Sequence, residues 1–286
     1  MSEWSTIDRN DYADLAALYH RTRPSCPIEL VDRLVSHAGV HAGDAVAEIG
    51  AGTGLFTRLL SGRGLAITAL EPVPEMRAQA ELLADVTWKA GTFERTELPD
   101  ASQRWVVSCQ AFQWADRVSA LPELRRILCP GAWFTTLWYA YDVAREPVLQ
   151  RSYALLRERI PAYRYVDRTT RARRLASRVL SALPERPQRA LSRLSALASE
   201  RGGRGSQLQG TADFGKLVYH EARMSTSVDR QGYLDLWRSR TRLITLGAGG
   251  AFDGFIAAVA ADLEQHRVER VDVRYVFGAW SARARS

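Results

Sequence analysis

The apolar run Ala45-Val46-Ala47-Glu48-Ile49 leads without a break into Gly50-Ala51-Gly52-Thr53-Gly54 and then into Leu55-Phe56. A short buried strand, a turn of alternating glycines and a helix is the arrangement this pattern allows. The glycines permit a tight turn and let a ligand approach the backbone, and amide hydrogens collect at a helix N-terminus. Taken alone the string also suits a plain strand-to-helix turn, so its meaning depends on what surrounds it.

What surrounds it is a regular alternation. Further strands are expected at Ala66 to Leu70, Val86 to Ala90, Trp105 to Ser108 and Trp133 to Trp138. Helices are expected at Gly54 to Leu60, Glu75 to Leu83 and Ala120 to Leu128. Strands alternating with helices imply a parallel sheet covered on both faces and joined by right-handed crossovers. Ahead of it, Asp11 to Tyr19 and a stretch opened by Pro27 read as two helices. The alternation stops near Tyr141. Residues 143–212 read as a helical insertion over the carboxyl edge of the sheet. Leu217 to Met224 and Val271 to Trp280 would then complete the sheet, with helices at Arg230 to Arg240 and Phe252 to His266. This gives four segments: 1–40, a helical cap; 41–142, the core; 143–212, an arginine-rich lid; and 213–286, the rest of the sheet with its helices.

Composition excludes several classes. A chain with 46% hydrophobic and 25% charged residues can build an ordinary core. No apolar stretch is long enough for a membrane span, and the polar start has no secretory signal, so a cytoplasmic protein is expected. Three cysteines, Cys26, Cys109 and Cys129, show no C-x-x-C spacing, so no metal site is expected. The net charge of +7 is local: Arg157 to Arg204 holds 13 arginines against four acids. Leu175, Val179, Leu180 and Leu183 give that stretch an apolar stripe, which suits a packed lid with a basic outer face.

Glu71 sharpens the reading. It ends the second strand, 17 residues after Gly54, where an acid can accept hydrogen bonds from both hydroxyls of a ribose. A dinucleotide fingerprint wants G-x-G-x-x-G, whereas here the third glycine comes one residue early and Glu48 precedes the turn. That carboxylate would repel a pyrophosphate but could help hold an ammonium. The contrast favours S-adenosylmethionine over a nicotinamide dinucleotide.

On these motifs the chain resembles the class I S-adenosylmethionine-dependent methyltransferases, in particular a bacterial small-molecule group. The residues that carry the resemblance are Glu48-Ile49-Gly50-Ala51-Gly52-Thr53-Gly54, Glu71-Pro72, Gly91-Thr92-Phe93-Glu94, Ser108-Cys109-Gln110-Ala111-Phe112-Gln113-Trp114 and Arg126-Ile127-Leu128-Cys129-Pro130-Gly131. The early Tyr19-His20-Arg21-Thr22-Arg23-Pro24 is similar to a segment that covers the cofactor in that family. The resemblance implies an α/β Rossmann-like sheet of seven strands, mostly parallel, in the order 3-2-1-4-5-7-6 with the last strand antiparallel, and a helical cap inserted after strand 5. It implies that Gly50, Ala51, Gly52 and Gly54 accommodate the methionine part of the cofactor, with Glu48 on its ammonium side. Glu71 would bind the ribose, Pro72 or Val73 would border the adenine together with Thr92 and Phe93, and Gln110 would lie near the methionine part or the transferring methyl.

The sequence departs from the family pattern at Arg104, Gln113 and Ala132, and Gln113 removes the imidazole of a histidine-based proton transfer. Candidates on the reacting side are Tyr19, His20, Gln113 and Tyr139, with Tyr141, Asp142, Tyr163, Tyr165, Trp237 and Arg240 as further candidates for the cleft or cap. The expected partner is a small-molecule acceptor, apolar or aromatic, methylated at oxygen, carbon or nitrogen; no membrane is expected, and self-association is left open. Two rival readings stand beside this one: a nucleic-acid-binding protein that uses the basic insertion, and a methyltransferase fold serving as a non-catalytic subunit.

Overall fold

The computed structural model describes residues 9–163, 208, 213–240, 243 and 250–285. Seven strands form one sheet: β1 (Ala45–Ile49), β2 (Ala66–Leu70), β3 (Val86–Lys89), β4 (Gln103–Cys109), β5 (Leu128–Tyr141), β6 (Phe214–Asp229) and β7 (Arg270–Ala284). Their order is 3-2-1-4-5-7-6, as expected from the family resemblance. The pairs β1–β2, β1–β4, β2–β3 and β4–β5 are parallel, with Val46 opposite both Ile67 and Trp105. The last strand, β7, runs antiparallel to β5. Asp142 N–H donates to Arg274 O at 2.9 Å and Arg283 Nε to Gly131 O at 3.0 Å, so partner numbers fall along β7 as they rise along β5. The central strands read as apolar runs because both faces are covered: Val46, Ala47, Ile49, Trp105, Val106 and Val107 are all buried.

Eight helices accompany the sheet among the described residues: α1 (Arg9–Thr22), α2 (Ile28–Ala38), α3 (Thr57–Leu60), α4 (Pro74–Arg77), α5 (Arg117–Ile127), α6 (Pro147–Arg159), α7 (Arg230–Arg238) and α8 (Ala251–Gln265). Pro27 sets the entry of α2, and Gly39, at φ +65°, ends it with its N–H on Val35 O. Asp116 caps α5 by accepting from Val118 N–H and Ser119 Oγ. Two helices are shorter than expected. α3 begins three residues beyond Gly54, and α4 stops at Arg77 although helix-forming residues continue to Leu83. Leu82 is 94% exposed, so the second turn would have no apolar face to bury, and packing rather than propensity sustains short helices. No helix of the described residues is long and apolar enough to cross a membrane.

The chain forms two compact units, each assembled from three stretches. The sheet unit comprises Pro24–Ala140, Arg204–Met224 and Val276–Ser286. Its core is an aromatic ladder: Phe93 meets Phe112 at 5.3 Å, Phe112 meets Phe134 at 5.0 Å, and Phe134 meets Phe214 at 6.2 Å between ring centroids. The helical unit comprises Met1–Arg23, Tyr141–Gly203 and Ser225–Tyr275. In it Trp237 packs edge-on to Phe255 at 5.0 Å, and Ser152 shares a hydrogen bond with the Tyr233 hydroxyl at 2.9 Å. Arg151 forks onto both oxygens of Asp262, joining α6 to α8. The arginine-rich run after Tyr163, with Tyr165 and the expected leucine stripe, lies outside the described residues.

One polar chain crosses the sheet unit's interior. Trp105 Nε1 donates to Thr135 Oγ1 at 2.9 Å, and Thr135 shares a second hydrogen bond with Ser281 Oγ at 2.9 Å, all three residues being buried. Thr135→Val keeps the shape but strands the indole donor and the serine hydroxyl. It is expected to cost about 1–3 kcal/mol for each orphaned group, read as a lowered urea midpoint, whereas Thr135→Ser should recover much of the loss.

Candidate functional site

The glycine turn sits between β1 and α3, at the carboxyl end of the first strand, where open parallel sheets bind their ligands. Gly50, Gly52 and Gly54 all have positive φ, at +71°, +60° and +79°. Each glycine is needed for a different reason. A Cβ on Gly50 would stand 2.3 Å from the Ala111 methyl, and one on Gly54 would meet the Trp88 ring at 3.1 Å. A Cβ on Gly52 would meet nothing within 4 Å, so the room above this residue is free for a ligand.

The amides of the turn are spent internally. Gly50 and Ala51 N–H both donate to Leu70 O, Gly54 N–H donates to Ala51 O, and Gly52 N–H donates to Glu71 Oε2 at 2.8 Å. Four of these five N–H groups are therefore committed, and the helix N-terminus lies farther on. This corrects the expectation of a helix opening at Gly54 with amides turned to the ligand. Such a turn is a poor phosphate cradle, because a phosphate wants free N–H donors.

Glu71 ties the turn to the second strand. Its other oxygen accepts from Val73 N–H at 3.0 Å, and Arg77 donates from Nη1 to the Glu71 carbonyl. The side chain is 7% exposed, and burial pushes its pKa up against the pull of these backbone bonds and of the Arg77 charge. A carboxylate has about four acceptor positions, so two remain beyond the two backbone bonds. Glu48 is more deeply placed, at 1% exposure. It accepts from Thr57 Oγ1 at 2.6 Å, and burial pushes its pKa up to about 8, with the Thr57 bond opposing and the Glu71 charge adding to the rise.

Around the strand ends, Pro72 is exposed and Val73 half-buried. Thr92 N–H donates to Arg95 O and its Oγ1 accepts from Arg95 N–H, closing a small turn after β3. The Phe93 ring belongs to the aromatic ladder, 3.6 Å from where a Gly50 Cβ would stand, which leaves its backbone for a ligand. Gln110 ends β4 in the left-handed region at φ +61°, an uncommon conformation for a residue with a side chain. Its N–H donates to Leu137 O and its side-chain amide to Tyr139 O, which fixes the ends of β4 and β5 together. Gln113 is exposed, donates from its side chain to Gln110 O at 2.6 Å, and has no basic atom to take a proton. Tyr139 is half-buried, its ring 5.3 Å from Phe277.

Tyr19 and His20 lie on α1 in the helical unit, where the Arg23 guanidinium stands 4.5 Å from the Tyr19 ring. Three contributors were not picked out from sequence: Trp88 against Gly54, Arg77 on the Glu71 carbonyl, and Thr57 on Glu48. Arg77 lies seven residues after the end of β2 and Thr57 eight after the end of β1, a similar spacing that could have flagged them.

The arrangement fits a nucleoside bearing an amino acid. Thr53 Oγ1 in the turn and Ser108 Oγ near the end of β4 are buried polar atoms with no hydrogen-bond partner among the described residues. Two acids flank the turn, and its amides are not offered to an anion. Comparison with known proteins agrees. The model of the methyltransferase domain family matches residues 47–136. Residues 47–136 are thus similar to a methyltransferase domain. An uncharacterized methyltransferase of Mycobacterium tuberculosis is 36% identical over 142 residues, 48% of this chain and 57% of that one. The malonyl-[acyl-carrier protein] O-methyltransferase of Serratia marcescens is 36% identical over 102 residues, 35% of this chain and 40% of that one. The chain thus spans between two fifths and three fifths of the length of these relatives. A solved structure from Anaeromyxobacter dehalogenans, provisionally assigned as a type II methyltransferase, shares the fold with a TM-score of 0.57 at 21% identity. The match covers 91% of this chain and 97% of that one.

Two predictions follow from the geometry of the turn and its acids. The folded protein holds a proton on Glu48 from the ordinary carboxylate range up to about pH 8, where the unfolded chain has lost it. Stability should therefore fall as pH rises through this window, by at most about 1.4 kcal/mol per pH unit, and level off above it. Urea denaturation of Glu48→Gln at pH 5 to 9 should show the slope flattened. The glycines supply the second test. Gly50→Ala adds a clash to left-handed strain and is expected to cost about 2–5 kcal/mol, whereas Gly52→Ala meets only the strain, about 1–2 kcal/mol. Thermal melting of the two variants should rank them in that order.

Proposed function

We propose that the protein transfers the methyl group of S-adenosylmethionine to a small organic acceptor. The observation that carries this reading is Glu71: a buried carboxylate, held by two backbone N–H groups at the carboxyl end of β2 beside a glycine turn whose amides are already spent. Glu71 would accept from the two ribose hydroxyls with its remaining lone pairs. The Gly50–Gly54 turn would lie against the amino-acid part, with open room at Gly52. Glu48, nearly neutral when alone, would give up its proton as an ammonium approaches, because an adjacent positive charge favours the carboxylate. The Thr92 and Phe93 backbone would border the adenine, and Gln110, pinned to Tyr139 O, would lie on the side of the reacting methyl.

When bound, the cofactor supplies a methyl group on a positively charged sulfur. What this chain's residues contribute is position. Holding two reactants in line is worth about 7–11 kcal/mol, and a general base about 10²- to 10⁴-fold, or roughly 3–5 kcal/mol. An exposed glutamine at 113 fits a reaction that leans on alignment, with an acceptor that is already nucleophilic. The expected acceptor remains a small apolar or aromatic molecule. The named relative from Serratia marcescens methylates a malonyl group, which shows that a similar domain can serve an acid.

Calorimetry with S-adenosylhomocysteine tests the binding half. Wild type should bind, and Glu71→Ala should weaken binding by about 10- to 100-fold, the worth of one or two hydrogen bonds to a charged group (about 1.5–3 kcal/mol). Wild-type protein that does not bind the nucleoside, or a Glu71→Ala variant that binds it equally well, would overturn the reading. Mass spectrometry of acceptor pools for a methyl gain of about 14 Da tests the transfer.

A further inference from the structure

One guanidinium of the helical unit, that of Arg240, has no ion pair with an acid among the described residues. Arg240 follows the end of α7 and is half-buried; its charged carbon stands 3.9 Å from the centroid of the Trp237 ring, 4.5 Å from Tyr141 and 5.7 Å from Tyr153. Its side chain donates to two phenols, the Tyr153 hydroxyl at 3.2 Å from Nη1 and the Tyr141 hydroxyl. No carboxylate of the described residues comes within 4.0 Å of it. The neighbouring arginines of the unit are different. Arg21 and Arg238 share Asp235, Arg145 has Asp142, Arg151 has Asp262, and Arg274 has Glu146. Those acids are thus claimed, and among the described residues the neighbours of Arg240 are phenols and aromatic rings.

A second observation shows that the spot is electropositive. The Tyr141 hydroxyl is buried, which pushes its pKa up, yet the charges of Arg240 and Arg23, together with hydrogen bonds from Arg240 and Tyr275, outweigh burial and hold it below its ordinary value. Arg23 reaches the same neighbourhood from the end of α1, its Nη2 donating to Ser239 O at 2.8 Å. Two guanidinium groups therefore act on one phenol. Cation–π contacts with three rings offset part of the cost of holding Arg240 there, and the two phenols take two of the five N–H donors in its fork. That fork matches a carboxylate, and the rings match a flat apolar body attached to it.

The geometry points to a carboxylate-binding site in the helical unit, in which Arg240 pairs with the ligand's carboxylate and Tyr141, Tyr153 and Trp237 hold its apolar or aromatic part. The methyltransferase reading supplies a reason for such a ligand, but the site is argued from this unit alone and stands or falls separately.

Benzoate, with benzamide as its uncharged isostere, is the probe, and the Trp237 ring gives a fluorescence readout beside calorimetry on the full chain. Benzoate should bind at least about tenfold more tightly than benzamide, or 1.4 kcal/mol, and its affinity should fall with added salt. Arg240→Met should abolish the preference while leaving benzamide unchanged. Arg240→Lys, which keeps the charge but loses the fork, should retain a reduced preference, and it serves as the test if the methionine variant does not fold by circular dichroism. Equal binding of the two probes by wild type, no benzoate binding at millimolar concentration, or undiminished benzoate affinity in folded Arg240→Met would overturn the proposal. Titration of the same samples with S-adenosylhomocysteine keeps the two readings apart: its failure removes the methyltransferase reading and leaves the benzoate result standing.

Discussion

The bond from Gly52 N–H to the Glu71 carboxylate is the constraint on which the site depends. It joins the turn after β1 to the end of β2, and with Val73 N–H on the other oxygen it locks the carboxylate in one orientation. Neighbouring parallel strands bring the two ends together, with Ile49 opposite Leu70. The carbonyl of Leu70 then takes the N–H groups of Gly50 and Ala51, so the turn is folded against the strand end by three hydrogen bonds before any ligand arrives. A site built in this way is preorganised, and preorganisation lowers what binding must spend on ordering.

The same packing explains why these glycines have no substitutes. Ala111 presses against Gly50 because Gln110 turns the chain sharply at the end of β4, and the turn is held by Gln110's bonds to Leu137 and Tyr139. The unusual backbone of Gln110 and the bare face of Gly50 are two sides of one close approach. Strained residues persist where the surroundings over-determine them, and such places cluster at functional sites.

Much of this could be read in the sequence. β1 and β2 have the bounds expected for them, because a strand buried on both faces is an uninterrupted apolar run closed by polar or glycine residues. Glu71 was legible because its place is set by strand length alone. The misreadings share a cause: a helical pattern reports propensity, and α4 ends at Arg77 because Leu82 has nothing to pack on. The spent amides of the turn and the reach of Arg77 depend on angles that spacing does not encode. Arg240 was named only as a candidate lining residue. That no carboxylate of the described residues pairs with it depends on which acids its neighbours have taken, and only the fold decides that.

Charge decides which nucleoside the turn favours. Two acids near one turn both have raised pKa values, and the charge on Glu71 adds to the rise at Glu48, so the empty site resists carrying two negative charges at once. A pyrophosphate would add negative charge and find four of the five turn amides already bonded. A sulfonium amino acid does the opposite: its positive charges let both carboxylates ionise, and the hydroxyls of its ribose need only the lone pairs that Glu71 has left. In the proposed function, ligand and protein would relieve one another's unfavourable charge, and the proton released by Glu48 would make binding strengthen as pH rises toward 8.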